Sequence, residues 1–342
     1  MMQEKKTIYT IAEALGLSPG TISKVINQNG NVSEQTRERV MSYIKEVGYV
    51  PATSARMLKS KKTFSIGIVF TEELNIGLEH SFFSSVLQNF KNEAERKGYE
   101  LSFIVKRLGA HELSYFEWCM NKRVDGVYIV TGDVKDQGLV ELIESHIPCI
   151  STDLVMDQLP AIVSDNKQGV DLALNFVKNT LQKKRVALIS GPFKSRAFKE
   201  RYEAYQAFVE AEKWPQEKSS VVFTESFGMT SGYRAVLEMM ALIKERPEVI
   251  FVTSDDIALG VLKGLRDLNI RVPEDVQIIG YDDMPFSKHY TPSLTTIAQD
   301  RHQLGTLAAK TLIHKIEHPD DDMNMVTRVP VQLIVRESTI QE

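Results

Sequence analysis

Apolar residues recur at helical spacing at Ile8, Ile11, Ala12 and Leu15, and Gly16 breaks the pattern, which predicts a short first helix. Ser18 is a natural N-cap, and Pro19 suits the first helical position, where its fixed φ and missing N–H cost nothing. The helix they open has one apolar face, Ile22, Val25 and Ile26. The small or polar Gly20, Thr21, Ser23, Lys24 and Asn27 face elsewhere. A third helix is predicted from Ser33, burying Val40, Ile44 and Val47 and ending at Gly48. Past Lys62 the texture changes. Strand-like runs at 64–70, 99–105, 126–130, 185–190, 249–253 and 276–281 alternate with amphipathic stretches such as 82–97, 166–180, 198–212, 230–245 and 257–268. That alternation argues for parallel sheets built from βαβ units. It runs through about 63–161 and again through 162–290, so two similar lobes are expected. A ligand would bind in the cleft between them, at the carboxyl ends of the strands.

Composition narrows the class. The 342 residues can bury a sizeable core, and 43% apolar with 25% charged residues excludes wholesale disorder. Two cysteines, Cys119 and Cys149, cannot make a disulfide framework, so a reduced cytoplasmic setting is expected. No apolar run reaches the roughly 18 residues that span a bilayer, and Met1–Lys6 lacks a signal peptide's apolar segment. A net charge of −4 speaks mildly against a nucleic-acid partner, but it averages over unlike parts. Residues 1–62 hold ten Lys/Arg and five Glu, a charge of +5, whereas the remaining 31 basic and 40 acidic residues sum to −9. A basic head on an acidic body points to a polyanion partner for the head alone, although a solvated basic surface has the same charge.

Two short helices joined by a tight glycine turn, followed by a supporting helix, fit a helix-turn-helix domain whose second helix enters the major groove. Spacing alone equally fits a small bundle used for dimerisation or docking. The string decides between them. TIYTIAEALGLSPGTISKVIN over 7–27 and NVSEQTRERV over 31–40 closely resemble the DNA-binding head of the lactose-repressor (LacI/GalR) family, and GYVPATSARML over 48–58 resembles its hinge helix. The resemblance implies that Thr7, Tyr9, Ser18, Thr21, Ser23, Asn27 and Ser33 hold phosphates or flank bases, fixing register. It places Pro19, Gly20 and Lys24 where family members read base edges, and adds Tyr49, Ala55 and Leu58 from the hinge. Leu58 matches the family's apolar wedge into the minor groove. This sequence departs from the pattern in an informative way. Pro19 and Gly20 offer no side-chain hydrogen bond, and Lys24 is a point charge where the family often carries the planar fork of arginine, so direct readout should be thin. Ala52 stands where the family usually has asparagine.

The body resembles the same family through HSFF (80–83), IVSDNKQG (162–169), ISGP (189–192), RYEAY (201–205), SDDIALG (254–260), VPEDV (272–276), IGYDD (279–283), PSLTT (292–296) and VRES (335–338). The resemblance implies an N-terminal all-α helix-turn-helix domain (1–50) and a hinge (51–62). After these comes an α/β two-lobed core of the type I periplasmic-binding-protein kind with parallel sheets (63–342). Lobe 1 is expected at about 63–161 and 291–325, lobe 2 at about 162–290 and 326–342. Hydroxyl-rich ligands are held by carboxylates, arginine forks and aromatic faces. The family pattern places Phe83, Thr131, Asp153 and Asp165 in the cleft, joined by Arg201, Phe227, Ser254, Asp255 and Asp282, with Arg201 and Asp282 as the leading pair. Phe83 and Phe227 suit core packing nearly as well, and Asp283 reads as a turn residue. Arg196 would suit an anionic ligand group but reads more simply as a solvated residue at a helix start.

Catalytic signals are scarce: there is no G-x-G-x-x-G, P-loop or C-x-x-C. His314-Lys-Ile-Glu-His318 matches the inverted zinc-protease pattern, but at the end of an amphipathic helix and with no third-ligand context it carries little weight. Cys149, after Pro148 at a strand start, reads as buried. The expectation is therefore a non-enzymatic transcriptional regulator, by family default a repressor, with no metal or cofactor and no membrane. Its partners would be a palindromic double-stranded DNA operator, a second copy in a homodimer, and a small-molecule effector, a sugar or sugar derivative by family default. The competing reading is a cytoplasmic ligand-binding module without DNA function.

Overall fold

The computed structural model describes residues 7–26, 30–49, 62–70 and 78–340. The chain divides into two compact units, Met1–Phe64 and Ser65–Glu342. In the first, α1 (Ile8–Leu15), α2 (Pro19–Ile26) and α3 (Glu34–Val47) pack around Ile11, Ala12, Leu15, Ile22, Val25, Val40 and Ile44, all buried. Each helix has its own start signal. Thr7 caps α1 in a reciprocal pair with Thr10, Ser18 accepts the Thr21 amide at 3.1 Å, and Ser33 accepts the Thr36 amide at 3.3 Å. Gly16 and Gly48 close α1 and α3 in the left-handed conformation, at φ +62° and +64°, as the break in periodicity predicts. Arg39 of α3 donates to the Leu15 carbonyl at 2.8 Å, satisfying an open acceptor at the end of α1. Val47 is half-buried rather than buried, because it lies in the last turn, where the core ends.

The second unit is two α/β lobes. The first sheet contains β1 (Ser65–Phe70), β2 (Glu100–Ile104), β5 (Gly126–Thr131), β6 (Cys149–Ser151), β7 (Ala161–Ser164) and β13 (Val326–Val329), in the spatial order β13-β7-β6-β5-β1-β2, all parallel. A small exposed hairpin, β3 (Arg107–Leu108) and β4 (His111–Glu112), stands apart from it. The second sheet contains β8 (Val186–Ser190), β9 (Val221–Phe223), β10 (Val249–Val252), β11 (Gln277–Asp282), β12 (Thr295–Gln299) and β14 (Val331–Ile334), in the order β14-β12-β11-β10-β8-β9. Only β14 runs antiparallel. Strands β5, β8, β10 and β11 are buried along their whole length, the mark of parallel strands covered on both faces.

The covering helices are α4 (Ser81–Arg96), α5 (Tyr115–Lys122), α6 (Gln137–Ile143) and α11 (Arg301–Glu317) on the first lobe. On the second they are α7 (Asn166–Asn179), α8 (Arg196–Ala211), α9 (Met229–Leu242) and α10 (Asp255–Asp267). Helix α11 packs against α4, α7 against α8, and α9 against α10. Cys119 and Cys149 are buried and unpaired, and burial pushes the Cys119 thiol up to about 12.

The lobe boundaries differ from those expected. The chain crosses after Ser164, after Gln299 and after Val329, a few residues past the expected 161 and 325 and further past 290. Thr295–Gln299 pairs with β11, Thr295 opposite Ile279, so residues 291–299 belong with the second lobe. The chain returns to the first only at Asp300, which caps α11. Val326–Val329 lies beside β7 and belongs to the first. Which sheet claims a strand is a question of distant partners, which local periodicity does not encode.

Candidate functional site

On the head, Thr7, Ser18, Pro19, Gly20, Lys24 and Ser33 are exposed, Tyr9 is 71% exposed, and Thr21, Ser23 and Tyr49 are half-buried. The exposed side of α2 is therefore the small and polar one, with Ile22 and Val25 turned into the core. Thr7, Ser18 and Ser33 act as N-caps, and capping uses a hydroxyl's acceptor lone pairs while its proton can still be donated. Asn27, Ala52, Ala55 and Leu58 lie outside the described residues.

In the two-lobed unit, a cleft of about 550 Å3, part of it open to solvent, lies where strand ends and helix starts of both lobes converge. The first lobe supplies His80, Phe82 and Phe83 from the start of α4, Thr152 and Asp153 from after β6, and Ser164 from the end of β7. The second supplies Asn166, the 195–201 stretch opening α8, Phe227, Ser254, Asp282 at the end of β11, and Gln299 at the end of β12.

Arg201 is 4% exposed. Its Nε donates to Asn166 Oδ1 at 2.9 Å and its Nη1 to the Thr253 carbonyl at 2.6 Å. The guanidinium stacks 3.6 Å from the Tyr281 ring centroid and stands 3.8 Å from Asp282. Asp282 also accepts from Gln299 Nε2 at 2.6 Å. Burial raises the Asp282 carboxyl to about 6 against the pull of Arg201. Its backbone is unusual, with φ +120° at Asp282 and +51° at Asp283. Arg301 holds that turn by donating to both carbonyls, at 2.8 and 2.9 Å, and Arg336 binds the Asp283 carboxylate at 2.6 Å, which gives Asp283 the turn role expected of it.

Across the cleft, Asp153 accepts from Thr131 Oγ1 at 3.0 Å, and burial raises its carboxyl above the ordinary value. Arg196 bridges the lobes: its Nε donates to the Asp153 carbonyl at 2.6 Å while its Nη1 pairs with Glu200 at 2.6 Å. Aromatic rings line one side. His80 stands 4.9 Å from Phe83 and edge-on to Phe227 at 5.7 Å, and Phe198 lies 5.5 Å from Phe227. Burial lowers the His80 imidazole. His80 Nδ1 and Ser164 Oγ are buried without a partner, the kind of orphan a bound polar ligand would satisfy.

The cleft thus brings together Phe83, Asp153, Arg201, Phe227, Ser254 and Asp282 of the expected set. Three others lie outside its lining. Thr131 stands behind Asp153 and orients it. Asp165 caps α7 through the Gln168 amide at 2.9 Å. Asp255 is fully buried and accepts from Ser287, Thr296 and the Met284 amide, so it anchors the 284–287 loop. His80, Asn166, Phe198 and Gln299 escaped the sequence reading, and Arg196, weighed there for an anionic ligand group but read as solvated, is instead bound across the cleft. His80 lies in the HSFF segment and Asn166 beside Asp165, so adjacency was their available signal. His314 is exposed and pairs with Asp321 at 3.0 Å, and among the described residues no group of three or more metal-binding side chains converges.

Comparison with known proteins decides the family. Residues 7–52 match the model for bacterial regulatory proteins of the lacI family, and 180–339 match a periplasmic binding protein-like domain. The HTH-type transcriptional repressor PurR of Mannheimia succiniciproducens is 31% identical over 339 residues, covering 97% of this chain and 98% of its own. The chain belongs to the lacI family. Its head and two-lobed core are those of the family, and it is an effector-controlled, DNA-binding transcriptional regulator. PurR of Vibrio vulnificus is similar at 29% identity over 97% of this chain and 98% of its own. A lac repressor dimer bound to operator and the anti-inducer ONPF superposes with TM-score 0.81 at 26% identity, covering 98% of this chain and 99% of that one. The CelR–cellobiose complex, another transcriptional regulator, gives 0.71 at 26% identity, covering 97% and 99%. These relatives are regulators, not enzymes. No helix among the described residues of this lacI-family chain is long and apolar enough to cross a membrane.

Proposed function

We propose that this lacI-family protein is a cytoplasmic, non-enzymatic repressor that binds a palindromic operator as a homodimer and responds to a sugar or sugar derivative held between the lobes. The supporting observation is the cleft, where acceptor carboxylates, aromatic faces and two orphaned polar atoms meet between the two lobes. The relative crystallised with cellobiose supports a sugar, and the one solved as a dimer on operator supports the assembly.

The head meets DNA through the exposed side of α2. Thr7, Tyr9, Ser18, Thr21, Ser23, Asn27 and Ser33 hold the backbone, while Pro19, Gly20 and Lys24 lie toward the bases, with Tyr49 and, from the 51–62 hinge region, Ala55 and Leu58 adding contacts. The effector is gripped by Phe83, Asp153, Arg201, Phe227, Ser254 and Asp282. It shifts operator affinity only to the extent that it binds one arrangement of the lobes better than the other. Both lobes line the cleft, so a change in their angle changes the ligand's contacts.

The test is a gel-shift titration of the full chain on the promoter region of its own gene at moderate salt. Sequence-specific retention is expected, and Lys24→Ala should weaken it while leaving ligand binding intact. Failure to discriminate that DNA from competitor would overturn the proposal. Removing 1–62 should abolish retention, whereas a ligand-binding module without DNA function would lose nothing.

A further inference from the structure

We infer that the cleft is built for an uncharged ligand, and that Glu200 enforces this by withholding Arg196 from any anionic group. The inference rests on the reading of the cleft as the effector site and narrows the class of molecule that fits it. Two guanidiniums line the cavity, and a cationic wall invites phosphate or carboxylate. Neither is available in that sense. Arg196, whose side chain is 21% exposed, is clamped between Glu200 Oε1 at 2.6 Å and the Asp153 carbonyl at 2.6 Å. Arg201 is buried, bonded to Asn166 and the Thr253 carbonyl, and stacked on Tyr281.

These groups form one continuous belt. The Asp153 carbonyl holds Arg196, Arg196 holds Glu200, and Glu200 Oε2 accepts Asn166 Nδ2 at 2.7 Å. Asn166 Oδ1 then accepts Arg201, which faces Asp282. Glu200 thus neutralises Arg196 and, through the Asn166 amide, fixes which edge of Arg201 is occupied. Asp153 and Asp282 lie in the lining beside the two arginines, and Glu200 pairs with Arg196, so three acidic side chains answer two guanidiniums. An anion entering would find each guanidinium already taken by an acidic partner. An uncharged hydroxylated molecule would instead find acceptors in Asp153 and Asp282 and a partner for the orphaned Ser164 hydroxyl. His80, Phe83 and Phe227 would cover its apolar face.

The experiment titrates the full chain with inorganic phosphate and with glucose 6-phosphate, against chloride at matched ionic strength, reading heat of binding and thermal midpoint. Glu200→Gln should gain at least about tenfold in affinity for either probe over the wild type, the scale set by exposing one buried guanidinium. Adding Arg196→Gln should erase the gain, which separates the cleft from phosphate held weakly by the basic head. Glu200→Ser serves as a second release of Arg196 should Glu200→Gln fold poorly. A folded release variant that gains nothing overturns the inference. So does wild-type phosphate binding that Arg196→Gln alone abolishes, a result that requires no Glu200 variant to fold. Because the readout is phosphate itself, a cleft that gains it without any ligand-driven operator release would sink the effector reading and leave the charge inference standing.

Discussion

Replacing Asp255 separates a binding role from an anchoring one. Its carboxylate accepts three donors: the Met284 amide at 3.0 Å and Ser287 Oγ at 2.5 Å on one oxygen, and Thr296 Oγ1 at 2.7 Å on the other. Gly280 makes the room, since a Cβ there would come 2.3 Å from Asp255 Oδ1. Asp255→Ala strands an amide and two hydroxyls inside the second lobe. At about 1–3 kcal/mol for each unsatisfied group, with one hydroxyl turning to a new partner, the loss is about 2–6 kcal/mol. Asp255→Asn should cost under about 1 kcal/mol, because an amide flipped toward Met284 and Ser287 accepts both and donates to Thr296. The isosteric variant also removes a charge that burial resists, the carboxyl being pushed up to about 7. A raised carboxyl favours the fold while protonated. Its contribution is therefore full below about 4, the ordinary unfolded value, and is lost as pH rises through about 7. The stability difference between wild type and Asp255→Asn should fall across that window. Urea unfolding, followed by the fluorescence of Trp214 packed on Phe208 in the same lobe, reads both effects. An alanine variant within about 1 kcal/mol of wild type, or an asparagine variant as damaged as alanine, would refute the anchoring role. Ligand affinity lost in a fully stable asparagine variant would return Asp255 to the binding site.

Three further outcomes are expected. Gly260→Ala places a Cβ 1.8 Å from the Met229 carbonyl oxygen and 2.5 Å from the Tyr233 amide nitrogen, forcing α9 and α10 apart. After a helix-propensity gain of about 1 kcal/mol, a net loss of about 2 kcal/mol or more should lower the thermal midpoint by roughly 4–8 °C. Arg39→Ala removes the 2.8 Å bond to the Leu15 carbonyl. At about 1 kcal/mol, hydrogen exchange in the 7–17 segment of the full chain should speed about fivefold, and unchanged exchange would deny the bond any weight. Operator affinity should fall linearly on a log–log plot against salt, and Lys24→Ala, at a base-facing position, should weaken binding with little change in slope. A slope shallower by about one would mean that Lys24 holds a phosphate instead.

Much of the head was legible because its helices carry punctuation, with Ser18–Pro19 and Ser33 opening and Gly16 and Gly48 closing, although the Thr7 cap of α1 went unread. The long strands were legible for a different reason: burial on both faces leaves unbroken apolar runs such as Val249–Val252. Cys149–Ser151 and Val221–Phe223 are too short to show a period, and no local signal says that Thr295–Gln299 joins the second sheet. At the site, Arg201 and Asp282 were readable from the strings around them. Asp165 and Asp255 were not separable from ligand-binding acids, because a carboxylate at a helix start looks alike whether it holds a ligand, caps the helix or anchors a loop. Arg196 read as solvated because the Asp153 carbonyl, its partner across the cleft, lies 43 positions away in the chain.

Both sheets take an edge strand from one short stretch, Val326–Val329 beside Ala161–Ser164 and Val331–Ile334 beside Thr295–Gln299. Neither lobe can therefore finish its sheet before this stretch is made, and until then both sheets have an open edge. A message broken before codon 326 leaves both lobes incomplete at once. Such a product keeps at most its separately packed head and has no whole lobe with which to sense a ligand.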